Sequence, residues 1–183
     1  MKLTLIESSN DGAYAAASAA GAADAGVSDP DLGLSHFLKL MNKKAGEIGL
    51  TQTYFLNETG LDQNTFLSGA YGSARDVAYL MIYAIKTHPE IFELTRYTTT
   101  ESRSLSDLTH QVKNTNQSVN KIPALIASKT GFTDLAGGNL AVAFDAGFER
   151  PIIVVVLGSS QDGRFTDAEK LAWAALKSIQ TAP

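Results

Sequence analysis

Apolar positions recur along this chain with two different periods, and the period changes near residue 96. Leu34, Phe37, Leu38, Met41, Ala45 and Ile48 follow helical spacing and define one core face. Ahead of them, Ser28 reads as the cap, Pro30 as a first-turn proline and Asp31 as the capping-box position. A further helix opens at Ser73, with Asp76 three residues on, and turns Val77, Leu80, Met81, Ala84 and Ile85 inward. Pro89 ends it or starts a short successor through Phe92, and Tyr54 to Leu61 reads as a loop that turns at Gly60.

Beyond Arg96 the residues become strand-like. Tyr97 to Thr100 and Gln111 to Asn114 are threonine-rich and partly polar, which suits an exposed hairpin flanking a cleft. Leu140 to Phe144 is an alternating apolar run, and Pro151 to Gly158 reads as a fully buried strand from its β-branched content. Thr166 and Glu169 form a capping box for a last helix that presents Ala168, Leu171, Ala172, Ala175, Leu176 and Ile179 to one side. Strands followed by a helix in this order predict an α+β fold, an antiparallel sheet with the C-terminal helix packed across it.

The N-terminal stretch has a different character. Met1 to Ile6 looks like the tail of a helix whose beginning is absent. Ala13, Ala16, Ala17, Ala20 and Ala23 suit a tightly enclosed helix that would hold the Ser8 to Asn10 turn rigidly. Taken alone, Ser8 and Asn10 also fit a plain helix cap.

Composition adds mainly exclusions. The 183 residues fit one domain, with a helical part at about 1–95 and a sheet part at about 96–183. The net charge of -4 carries no basic patch, so nucleic acid is not an implied partner. No cysteine is present, the three histidines show no metal-binding spacing, and no nucleotide loop is visible, so neither metal nor cofactor is expected. Leu3 to Ile6 is too short for a signal peptide, and the longest apolar run, Ile152 to Leu157, is far below a membrane span.

The candidate chemistry centres on Ser128-Lys129-Thr130-Gly131-Phe132-Thr133, followed by the Gly137-Gly138 turn. Gly131 lets another backbone approach that strand edge, so an extended peptide would pair with it and meet Thr130 and Lys129 at its carboxylate. By itself a Lys-Thr-Gly triplet also describes an ordinary hairpin with a surface lysine.

Taken in order, the motifs resemble a known family. Glu7-Ser8-Ser9-Asn10-Asp11, the Asn57-x-x-Gly60-Leu61 loop, Ser73-Ala74-Arg75-Asp76 and Asn114-Thr115-Asn116 are similar to the serine D-alanyl-D-alanine carboxypeptidases. So are Lys129-Thr130-Gly131-Phe132-Thr133-x-x-Ala136-Gly137 and Val155 to Gly158 followed by Arg164-Phe165. These are low-molecular-mass penicillin-binding proteins, peptidase family S11, which remove the terminal D-alanine of peptidoglycan stem peptides through a serine acyl-enzyme. The resemblance implies a β-lactamase/transpeptidase-like fold, a location outside the cytoplasm, stem peptides ending in D-Ala-D-Ala as ligands and, in the intact family, β-lactams. Among the residues, it implies that Ser8 relays a proton, Asn10 bonds the substrate amide and Lys129 supplies positive charge beside the relay. Thr130 would hold the carboxylate with help from Arg164, Gly131 and Thr133 would line the strand, and the Phe132 N–H would be an oxyanion donor. Arg164 also fits a surface cation.

The departure from the family pattern is the nucleophile. Its Ser-x-x-Lys belongs well before Ser8, and the only such spacing here, Ser118 to Lys121, lies between Asn116 and Lys129, out of the family order. The expectation is a domain without its first strands and nucleophile helix, inactive alone and prone to self-association through uncovered apolar surface. A rival expectation is a non-catalytic module that binds stem peptides or a protein partner. No Glu-x-x-x-Asn or Tyr-x-Asn pattern of the related β-lactamases occurs.

Overall fold

The computed structural model describes residues 2–147 and 149–181. Helices α1 (Lys2–Ile6), α2 (Asn10–Ala25) and α3 (Pro30–Glu47) come first. A short pair, β1 (Tyr54–Phe55) and β2 (Ala70–Tyr71), brackets the loop that precedes α4 (Ala74–Thr87) and α5 (Pro89–Phe92). A 3-10 turn, Glu93–Arg96, leads into the hairpin of β3 (Thr99–Arg103) and β4 (Thr109–Lys113). The main sheet is β5 (Leu125–Thr133), β6 (Gly137–Asp145) and β7 (Pro151–Ser159), antiparallel in that order, and α6 (Gly163–Gln180) closes the chain.

The central strand explains the layering. Alternate residues of a strand face opposite sides, and β6 sends Leu140, Val142 and Phe144 to one face and Ala141 and Ala143 to the other. On the large-residue face they meet Val154 and Val156 of β7 and Phe165, Ala168 and Ala172 of α6. On the alanine face the small side chains leave room for α4, whose Met81, Val77 and Ile85 pack there with Ile153 and Val155. The sheet is therefore covered on both sides, by the expected C-terminal helix and also by α4. Phe144, Leu140 and Val142 are almost wholly shielded from water, each contributing about 1.5–3 kcal/mol of apolar burial.

Four expectations need correction. The strand 151–158 is half-buried rather than fully buried: Val154 and Val156 are interior, but β7 is an edge strand and Leu157 and Gly158 are exposed. The cap of α3 is Asp29, not Ser28; its carboxylate accepts from the N–H groups of Asp31 and Leu32 at 2.8 and 3.2 Å. Pro30 has no N–H and its φ is preset for a first turn, so the residue directly before it takes the capping position. The last helix begins at Gly163 rather than Thr166, because Ser160 accepts the first N–H bonds through both its hydroxyl and its carbonyl. Finally, α2 is enclosed on one side only. Ala17 and Gly21 are buried against α3, while Ala15, Ala16, Ala19, Ala20 and Ala23 are exposed.

That α2–α3 contact is made backbone to backbone. A Cβ on Gly21 would lie 1.9 Å from the Gly33 carbonyl oxygen, and one on Gly33 would lie 2.5 Å from that of Ser18. No described helix is long and apolar enough to cross a membrane.

Candidate active site

The cleft lies where the helical half meets the open edge of β5. The 3-10 turn covers the start of that edge: Ser128 N–H donates to Thr95 Oγ1 at 2.8 Å, and Ser128 Oγ to the Thr95 carbonyl at 3.1 Å. In an antiparallel strand, residues two apart direct their backbone groups the same way. The Thr130 carbonyl and the Phe132 N–H therefore point away from β6, into the cleft. Its volume is about 760 Å³, and its walls include Ser8, Asn10, Lys129 to Thr133, and Arg164.

The structure brings Ser8 and Lys129 together across 121 positions of sequence: Lys129 Nζ donates to Ser8 Oγ at 2.6 Å and to the Thr130 carbonyl at 2.6 Å. Ser8 sits in the three-residue link between α1 and α2 at φ 59°, a left-handed conformation that costs a non-glycine residue about 1–2 kcal/mol. Its neighbour Ser9 caps α2 by accepting from Gly12 N–H at 3.1 Å. Capping is thus done by Ser9, which leaves the Ser8 hydroxyl for Lys129. Asn10, the first residue of α2, is exposed on the cleft wall.

Arg164 belongs to the first turn of α6, where the early helix start places it. It is buried at 8% exposure, stacks over Phe165 and donates from Nη1 to the Gly131 carbonyl at 2.6 Å. Its Nε has no partner among the described residues. Burial, followed by the nearby Arg164 charge, pushes the Lys129 ammonium down to about 8 from 10.5. Burial also lowers the Arg164 guanidinium. Among the described residues, no carboxylate pairs with either cation. Two shielded cations without an ion-pair partner, Arg164 eased only by the nearby Asp162 charge, make this end of the cleft a place for an anion.

The remaining expected residues are placed as follows. Thr130 is buried, and its hydroxyl lies 2.6 Å from that of Thr115. Gly131 has open space beside it, since an added Cβ would meet only Asn139 Cβ at 3.8 Å. Phe132 is half-exposed. Thr133 is engaged within the protein, donating to Asp62 Oδ1 at 2.9 Å and accepting from Ala136 N–H at 3.0 Å. Ser118 is fully buried, with its hydroxyl on the Phe165 carbonyl at 3.2 Å, and does not line the cleft.

Two acidic residues tie the cleft's loops together in a way the sequence did not disclose. Asp62 joins the loop between β1 and β2 to the β5–β6 turn, accepting from Ser68 Oγ, Thr133 Oγ1 and Leu135 N–H. Burial works to raise its pKa, yet the Leu135 N–H and the two hydroxyls hold the carboxyl below its ordinary value. Asp76 is buried at the cleft wall and accepts from Gln52 N–H and Thr53 Oγ1 at 2.7 and 2.9 Å. The signal for Asp76 was present at the start of α4, but its partner segment, Gln52-Thr53, carries no recognisable pattern.

This fold is that of penicillin-binding proteins and DD-transpeptidases. The structure of penicillin-binding protein D2 from Listeria monocytogenes, solved with cefotaxime bound, matches with a TM-score of 0.74 and 30% identity, over 93% of this chain and 62% of that one. The Streptomyces K15 DD-transpeptidase matches with a TM-score of 0.79 and 25% identity, over 93% of this chain and 63% of that one. The chain itself belongs to peptidase family S11, the D-alanyl-D-alanine carboxypeptidases, whose family model matches residues 1–161. Among curated relatives, D-alanyl-D-alanine carboxypeptidase DacF of Bacillus subtilis (strain 168) is 33% identical over 150 residues, which are 80% of this chain and 36% of that protein. The chain thus spans little more than a third of that relative's length.

Proposed function

We propose that this chain forms the part of a D-alanyl-D-alanine carboxypeptidase that grips the C-terminal end of a peptidoglycan stem peptide and relays a proton during acyl transfer. The observation that carries this reading is the 2.6 Å bond from Lys129 Nζ to Ser8 Oγ inside a cleft whose two cations lack ion-pair partners. An extended peptide would pair with the open edge of β5, where the side-chain-free surface at Gly131 lets its backbone come close. Its carboxylate would lie by Thr130, Lys129 and Arg164, and its amide by Asn10. A serine would attack the carbonyl of the penultimate D-alanine, with the Phe132 N–H stabilising the developing oxyanion. The C–N bond then breaks, and the leaving nitrogen takes a proton through the Ser8 hydroxyl. Water later hydrolyses the acyl-serine.

The attacking serine would come from outside these 183 residues, since Ser118 is buried away from the cleft and its Lys121 is exposed beside Glu169. A β-lactam, which presents an anion beside a reactive amide, would enter the same site. Peptidoglycan as substrate places the work in the cell envelope, outside the cytoplasm. The free edge of β7 and the exposed face of α2 support self-association of the isolated chain, expected as a dimer or larger species on sizing; a clean monomer would refute that part.

Fluorescent penicillin tests the central reading. The 183-residue chain should show no covalent label, and the same chain extended by an upstream coding segment containing Ser-x-x-Lys should label and lose that label in the Lys129→Ala variant. Labelling of the 183-residue chain itself, or of the extended K129A chain at an unchanged rate, would overturn it.

A further inference from the structure

The two hydroxyls at the floor of the anion end must be counted together, because each carries one proton. Thr130 is buried at 7% exposure, and among the described residues its hydroxyl meets only Thr115 Oγ1, at 2.6 Å. Thr115 Oγ1 also lies 3.3 Å from the Ile6 carbonyl, which already accepts Thr115 N–H at 3.1 Å. Counting protein partners alone, the arrangement that uses both protons runs Thr130 to Thr115 to Ile6. In that arrangement Thr130 offers the cleft only lone pairs, the wrong partner for a carboxylate. Reversing the chain corrects this. Thr115 gives its proton to Thr130, and Thr130 gives its own to the ligand. The protein then exchanges a long bond to Ile6 for a charge-assisted one, and Ile6 keeps its N–H donor.

We propose that Thr115 is a positioning residue whose hydroxyl reverses the direction of the Thr130 hydrogen bond when a carboxylate enters, so that this pair selects a free C-terminal carboxylate over an uncharged end. This rests on the reading of the cleft as a peptide-carboxylate site. The device also reaches the relay, since Ile6 lies two residues before Ser8 and is tied to Thr115 by the backbone bond throughout. A hydroxyl donor at position 115 makes Thr130 a better donor, because hydrogen bonds in a chain polarise one another.

The test is the affinity of the 183-residue chain for N-acetyl-D-alanyl-D-alanine relative to its C-terminal amide, followed by NMR titration. The wild-type chain should prefer the carboxylate by about tenfold or more. Thr115→Val removes the hydroxyl while keeping shape and the backbone anchor, and should cut that preference by about fivefold. Thr115→Ser should restore it, and in a Thr130→Val background Thr115→Val should change nothing further. Thr115→Ala gives the same comparison if the valine variant does not fold. A wild-type ratio in Thr115→Val or Thr115→Ala, with the wild-type chain still preferring the carboxylate, overturns the role of Thr115 alone. No preference in the wild-type chain overturns the carboxylate reading of the cleft as well.

Discussion

The two sides of the cleft are built by different means. On the sheet side, Lys129 and Thr130 belong to a strand paired along its length with β6, over a core containing Phe144, Leu140 and Val142. On the helical side, Ser8 stands in a short link anchored by the buried Ile6 side chain and by a few polar contacts toward the hairpin. These include Thr115 N–H and Oγ1 to the Ile6 carbonyl, Lys113 N–H to Glu7 Oε1 at 3.2 Å and Lys2 Nζ to the Glu101 carbonyl at 2.7 Å. Helices α2 and α3 pack chiefly on each other. The difference teaches that the proposed grip on a carboxylate rests with the sheet half, while the placement of the proposed relay hydroxyl depends on a half anchored through Ile6 and a few polar contacts. Local opening should begin there.

The largest expected effect tests the rigid half. Phe144→Ala removes the biggest fully buried side chain of the sheet core and should cost about 3–5 kcal/mol by chemical denaturation. If both halves unfold together in that variant, the sheet is the foundation for all of them. Next comes Gly21→Ala, where the new methyl meets the Gly33 backbone. It should cost about 1–3 kcal/mol and raise amide exchange in α2 and α3 while leaving β5 to β7 protected. Equal loss of protection in the sheet would abolish the distinction between the two sides.

A smaller effect concerns the charge that joins them. The folded Lys129 sheds its proton near pH 8, against 10.5 unperturbed. Between those values the unfolded chain holds a proton that the folded chain lacks, so unliganded stability should rise with pH through that window. Carboxylate binding requires the cation and should move the opposite way, weakening by about tenfold as pH climbs past 8. A binding curve flat to pH 10 would mean that Arg164 alone holds the anion.

The contrast also explains what the sequence disclosed. The helices over 34–48 and 73–87 and the strands after residue 96 were legible because burial on one face imposes a period. The meeting of Ser8 with Lys129 was legible only through the ordered family motifs, since no periodicity connects residues 121 positions apart. Asp62, Asp76 and the Thr115–Thr130 pair were not visible as a network: single polar residues paired across long loops leave no repeat to detect. The exposed side of α2 was misread because alanine suits both a tight interface and an uncovered helix, and only its neighbours decide between them.

The smallest expected effect isolates the strain at the relay. Ser8 occupies φ 59°, where a Cβ crowds the backbone and glycine does not suffer. Comparing Ser8→Ala with Ser8→Gly removes the hydroxyl in both, so the lost bond to Lys129 cancels and only the backbone conformation differs. Ser8→Gly should be the more stable of the two by about 1 kcal/mol, even though glycine gives the unfolded chain more freedom. Neither variant should relay a proton in the chain extended by an upstream Ser-x-x-Lys segment. A glycine variant no more stable than the alanine one would show that the link relaxes to an ordinary conformation without its hydroxyl. The bond to Lys129 would then hold Ser8 in place, making the rigid side of the cleft the part that positions the relay.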